Sequence, residues 1–131
     1  MTKLYRVTYE ETGKSSPGPH EKRAAEIMAK HFRSDVVFLR REYCRTPDLC
    51  ILNTGVRWEL KSPKGGGKRT IQNNFRGTDH QSENIIIDLV RAKLTDAQGI
   101  SRTKEYLKTE RARIKKVKII LKSGEVIDIK G

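Results

Sequence analysis

The apolar positions change period several times along the chain, and each change marks an element. Leu4 to Thr8 alternates, with Leu4, Arg6 and Thr8 opposite Tyr5 and Val7, and predicts a short strand. Glu10 to Pro19 carries Gly13, Pro17, Gly18 and Pro19 and predicts a turn-rich loop. From His20 to about Phe32 the period becomes helical. Val36 to Leu39 is an apolar, β-branched run and predicts a strand, followed by a polar, irregular stretch from Arg40 to Thr46. Asp48 to Leu52 and Val56 to Lys61 predict a hairpin around Asn53-Thr54-Gly55. Ser62 to Lys68 is a glycine-rich loop, and Arg69 to about Gln81 a helix weakened by Gly77. Ile85 to Val90 is continuously apolar, as expected of a strand buried on both faces. A basic helix is expected over Ile100 to Lys115, then a closing hairpin of Lys118 to Leu121 and Val126 to Ile129 around Ser123-Gly124. Strands interleaved with helices predict an α/β fold, a mixed sheet with helices packed on it.

At 131 residues the chain is long enough for one domain, 1–131, with its core from about residue 17 onward. No apolar run is long enough to span a bilayer. The segment Met1 to Glu11 is polar and strand-like, unlike a secretory or transit peptide. Lysine and arginine total 28 against 16 acids, a net charge of +12. That excess favours a polyanionic partner, nucleic acid first. No basic amphipathic helix with a strong apolar face is present, which argues against a membrane surface. Cys44 and Cys50 are expected to be reduced, and zinc-finger spacing is absent.

The candidate chemistry centres on Pro47-Asp48 and Glu59-Leu60-Lys61. On the strand Val56 to Lys61, Val56, Trp58 and Leu60 share one side and Arg57, Glu59 and Lys61 the other. Glu59 and Lys61 are then neighbours with Cβ atoms about 7 Å apart. At about 100° per residue, Ala24, Ala25, Met28, Ala29 and Phe32 cluster around Glu21, while Glu26 points about 140° away. Glu21 thus aims at the core from the first turn. The plainer account is an acid favoured there by the helix dipole, as a surface ion pair is for Glu59 and Lys61. Taken together, Glu21, Asp48 and Glu59, with the backbone carbonyl of Leu60, suit a hard cation, Mg²⁺ or Mn²⁺, with Zn²⁺ also admissible. Lys61 would orient a metal-activated water or neutralise charge on a phosphate. Such a group of acids is expected to be loosely arranged without its cation.

Downstream, Lys64, Lys68 and Arg69 flank three glycines and Thr70, a pattern that suits phosphate contact but fails the P-loop spacing. Gln81 offers a further polar contact. His20 and His80 are secondary acid–base candidates, and His31 is expected at the surface. Aromatic residues are few, so base-stacking platforms look scarce, and Trp58 is expected to pack. Arg102, Lys104, Lys108, Arg111, Arg113, Lys115 and Lys116 suggest an electrostatic track or a solvated basic face.

His20-Glu21 with Ala24-Ala25, Pro47-Asp48, Trp58-Glu59-Leu60-Lys61-Ser62-Pro63, Lys68-Arg69-Thr70-Ile71, Gln81 and Ile85-Ile86-Ile87-Asp88-Leu89, in that order, resemble the tRNA-nuclease domain of CdiA-type contact-dependent growth inhibition toxins. The resemblance runs from about residue 17 to the end. It implies a PD-(D/E)XK, restriction-endonuclease-like fold and divalent-metal-dependent cleavage of RNA, tRNA above all. It also implies an immunity protein, expected to be acidic, and action in the cytoplasm of the cell it enters, delivered from a secreted parent or made free-standing. Carried over by position, Glu21, Asp48, Glu59 and Lys61 are the catalytic set. The same site serving a DNA endonuclease of a phage or mobile element is one alternative, and a non-catalytic basic nucleic-acid-binding module is another.

Overall fold

The computed structural model describes residues 4–10, 18–39, 49–76, 83–109 and 114–131. Among these residues seven strands and three helices follow one another as β1 (Val7–Tyr9), α1 (Pro19–Phe32), β2 (Val36–Phe38), β3 (Leu49–Ile51), β4 (Val56–Lys61), α2 (Thr70–Arg76), β5 (Asn84–Asp88), α3 (Asp96–Thr109), β6 (Lys116–Ile120) and β7 (Val126–Lys130). The strands form one mixed sheet in the order β1-β2-β3-β4-β5-β6-β7. β1 and β2 pair in parallel across the α1 crossover, as do β4 with β5 across α2 and β5 with β6 across α3. The remaining neighbours are antiparallel hairpins or returns.

Two cores form because β5 is apolar on both sides. Ile85 and Ile87 join Ile71, Phe75, Val117 and Ile119 beneath α2 and α3. Ile86 joins Trp58, Leu60, Ile120 and the α1 residues Ala24, Ala25, Met28 and Ala29. Alternation along one strand therefore sends consecutive isoleucines into opposite layers, and all three are fully buried. The alternation expected of Leu4 to Thr8 also holds, with Tyr5, Val7 and Tyr9 packed on the α1 core. The paired segment itself is shorter and begins later, at Val7.

Helix α1 starts at Pro19, whose fixed φ suits the first helical position. Gly18 cannot cap with a side chain, but its N–H donates to Glu21 Oε1 at 3.2 Å, the reciprocal half of a capping box. The helix ends on Arg33 in the left-handed region, φ 51° and ψ 50°, where Arg33 N–H donates to the Lys30 carbonyl and Ser34 N–H to that of Ala29.

Helix α3 departs from the expected Ile100 to Lys115. It begins at Asp96 because Thr95 and Gln98 form a complete capping box: Thr95 N–H donates to Gln98 Oε1 at 3.0 Å and Gln98 N–H to Thr95 Oγ1 at 3.1 Å. Gly99, which reads as a breaker, sits inside the helix. A Cβ there would lie 2.7 Å from Leu89 Cδ1, so the glycine lets the helix lie against the segment after β5. Lys115 and Lys116 lie outside the helix, Lys116 opening β6. The predicted Arg40 to Thr46 stretch, most of the loop from Glu10 to Pro19, and Cys44, Gly77, Arg111 and Arg113 lie outside the described residues. Cys50 is half-buried and carries a free thiol.

Left-handed backbone costs a non-glycine residue about 1–2 kcal/mol, partly offset by the extra unfolded-state entropy of glycine. Arg33→Gly should therefore stabilise the domain by about 0.5–1 kcal/mol. Urea unfolding measures it; a lower midpoint contradicts this account of the α1 terminus.

Candidate active site

Strand β4 places the acid and the amine. Leu49 pairs with Trp58, Glu59 with Ile85 and Lys61 with Ile87. Trp58 and Leu60 enter the α1 core; Glu59 and Lys61 lie on the side of Ile85 and Ile87, facing the α2/α3 layer. Lys61 Nζ stands 3.3 Å from Glu59 Oε1. The Glu59 side chain is 7% exposed and that of Lys61 29%. An exposed pair would be a minor ornament. A carboxylate almost removed from water is not, because its charge must be met by a cation or strong donors.

Glu21 and His20 approach from α1. His20 Nε2 lies 3.8 Å from Glu21 Oε1, and Glu21 also takes the Gly18 N–H. The helix-start role weighed against function is thus present in the structure: the Glu21 side chain, 19% exposed, turns its carboxylate back onto the first turn, and its functional role remains an expectation. Because α1 covers the face opposite Glu59, Glu21 and Glu59 belong to different layers of the sheet. Both lie towards its C-terminal edge: the first turns of α1 reach the end of β5 where Arg23 Nη1 stands 3.9 Å from Asp88 Oδ1, and Lys61 ends β4 one strand away. Asp48, His80 and Gln81 lie outside the described residues. Among the described residues no group of three or more His, Cys, Asp or Glu is assembled for a metal ion.

The glycine loop is held in place. Gly65 O accepts from Lys93 N–H at 3.0 Å, and a Cβ on Gly66 would meet Lys93 O at 2.8 Å. Gly67 O accepts from Thr70 N–H and from Arg102 Nη1 at 3.0 Å. Arg91 Nη2 donates to Ser62 O at 2.8 Å and its Nε to Ser62 Oγ at 3.3 Å. Lys64, Lys68 and Arg69 stay exposed on this anchored loop, while Thr70 opens α2. Arg91 was not singled out in the sequence, where nothing about one arginine after an apolar strand announces a partner 29 positions earlier.

Asp88 was also missed as a site residue. It is fully buried, with Oδ1 accepting the Val90 N–H at 3.1 Å. Burial raises its pKa above the ordinary 3.8, opposed by the Val90 N–H, Arg23, His20 and Arg91. A lone carboxylate closing an otherwise apolar strand was the available signal. His31 is exposed as expected and lies 3.0 Å from Lys118 Nζ; burial first and Lys118 second lower its pKa. Lys118 also pairs with Asp128. Trp58, 2% exposed, packs against Phe32 at 5.6 Å between ring centroids.

The family model of the contact-dependent growth inhibition CdiA C-terminal domain matches residues 45–126. The chain belongs to this family. As a CdiA C-terminal domain it has a toxin's lineage, and the matched stretch includes the Glu59–Lys61 strand, the glycine loop and β5. A solved "CdiA-CT/CdiI toxin and immunity complex from Burkholderia pseudomallei" shares the fold, with a TM-score of 0.64 and 19% identity over 95% of this chain and 99% of that one. No curated protein matches the chain. No helix among the described residues is long and apolar enough to cross a membrane.

Since burial raises the Asp88 pKa, the folded state favours the protonated acid. That contribution to stability is complete below 3.8 and is lost as pH rises through the raised folded value. Asp88→Asn, neutral at every pH, should gain stability relative to the native chain as pH climbs from below 3.8 towards neutrality. Urea titrations of both proteins over that range read the gap; one that stays constant or moves the other way contradicts the assignment.

Proposed function

We propose that this CdiA C-terminal domain is a toxin that hydrolyses phosphodiester bonds in RNA, tRNA above all, with a divalent cation. One observation carries the reading. A carboxylate held nearly out of water inside an interior strand faces the ammonium that ends that strand, two residues on, at 3.3 Å. Structural sheets rarely place such a pair where Val or Ile would pack at no electrostatic cost. The net charge of +12 and the anchored basic loop after Lys61 add support for a polyanionic substrate.

The donor chemistry fits Mg²⁺ or Mn²⁺: Glu59 with Asp48 and the Leu60 carbonyl are hard oxygen donors, and the cation would screen the mutual repulsion of the acids, while Glu21, in the other layer, would act from the edge of the sheet. When bound, such an ion supplies Lewis-acid charge and a more acidic water. The chain's own groups do the rest. Lys61 holds positive charge beside the scissile phosphate, where charge builds up in the transition state. Lys64, Lys68 and Arg69 hold the backbone of the substrate, and Gly66 lets the loop lie against Lys93. We read the β3–β4 hairpin and the strands beside it as a restriction-endonuclease-like, PD-(D/E)XK core. The solved neighbour is a toxin with its immunity protein, which supports an acidic immunity partner here, matched to the basic surface.

Incubation of total tRNA and of duplex DNA with the domain and Mg²⁺ or Mn²⁺ tests the proposal. Cleavage of tRNA that stops in EDTA is expected. Lys61→Ala and Asp48→Ala should each lower the rate at least about hundredfold, the scale of removing one transition-state charge contact, while RNA binding persists. Cleavage of DNA alone moves the site to a DNA endonuclease; retained function in both variants leaves a binding module.

A further inference from the structure

We propose that the cavity between α2 and α3 binds one unpaired nucleobase of the RNA substrate and favours guanine. The proposal rests on the nuclease reading for its RNA, but not for its geometry. The cavity encloses about 200 Å³ and is lined by Lys68, Gln72, Arg102, Glu105 and Tyr106. That is the scale of one heterocycle and not of a base pair.

The two helices set its chemistry. Phe75 of α2 and Tyr106 of α3 stack with centroids 4.6 Å apart and planes 14° from parallel. Phe75 is fully buried, so its ring fixes the plane of the half-buried tyrosine. A planar surface already ordered is what a base needs for stacking. Few aromatics occur in this chain, and folding brings two of them together from positions 31 apart in the numbering.

The polar rim supplies discrimination. No side-chain hydrogen bond or ion pair of Gln72 or Glu105 is found among the described residues. An ionised carboxylate only accepts hydrogen bonds. Guanine presents adjacent N1–H and N2–H donors on its Watson–Crick edge, a bidentate match for Glu105 that adenine, cytosine and uracil lack. Gln72 donates and accepts and can serve the O6 side. Reading that edge requires an unpaired base, the usual target of sequence-specific RNA recognition. Lys68 and Arg102 bring positive charge for the attached phosphate. Arg102 also ties the cavity to the loop after Lys61 by donating to Gly67 O. Lys68 in the cavity wall belongs to the same loop that leaves Lys61 at Ser62, so a base held there would belong to an RNA strand that follows this loop to the candidate active site.

Amide chemical-shift titrations of the ¹⁵N-labelled chain with GMP, AMP, CMP and UMP, without metal, test this. GMP should shift Gln72, Arg102 and Tyr106 and bind at least about fivefold tighter than the other three, the lower end of one good base contact. Tyr106→Leu should weaken GMP roughly five- to hundredfold, the range of a lost base–aromatic stack. Because that change touches a packed ring, Glu105→Gln serves as the surface variant: it should erase the preference for GMP with the spectrum otherwise unchanged. Lys61→Ala should bind GMP as the native chain does. Equal binding of all four nucleotides, shifts confined to other surfaces, or full selectivity in Glu105→Gln overturns the proposal. Cleavage of RNA without GMP selectivity removes the base site and leaves the nuclease; GMP selectivity without cleavage does the reverse.

Discussion

A carboxylate kept almost dry inside an interior strand is the constraint around which the rest is arranged. Glu59 sits between Trp58 and Leu60, both committed to the α1 core, and its own side points to the α2/α3 layer. The strand cannot slip by one residue without turning Trp58 out and Glu59 into the opposite core. The hydrophobic register therefore fixes where the charge is placed, and Lys61 at 3.3 Å is the first group to answer it. The loop that follows β4 is pinned through its carbonyls: Ser62 by Arg91, Gly65 by Lys93, Gly67 by Arg102. A charged centre needs that anchoring, since small displacements of donors waste most of their electrostatic effect.

The two layers have different duties. The α1 layer is apolar through Met28 and the alanines and presents Glu21 and His20 only at its N-terminal end, next to Arg23 and the buried Asp88. The α2/α3 layer meets the Glu59–Lys61 face and carries the exposed basic residues of the glycine loop. Among the described residues, groups of both layers come to the sheet's C-terminal edge, the usual location of sites in open α/β sheets.

Much of this was written in the residue pattern. The β4 alternation, the buried isoleucines of β5 and the apolar face of α1 follow from strand and helix periods alone, because burial enforces them. The start of α3 did not emerge from periodicity, although Thr95 and Gln98 spell out a capping box, because Gly99 masks the apolar pattern where the helix touches Leu89. Arg91, Lys93 and Arg102 were invisible as loop anchors: a long-range donor to a backbone carbonyl leaves no local trace in sequence. The Phe75–Tyr106 stack was hidden for the same reason, being a product of how α2 and α3 meet.

The central claim is that the acid and amine of β4 mark a divalent-cation site. Mn²⁺ titration followed by paramagnetic broadening of amide signals tests it most directly. Broadening that begins at Glu59, Leu60 and Lys61 and disappears in Glu59→Gln is the predicted result. Broadening centred elsewhere, or unchanged by Glu59→Gln, contradicts the account.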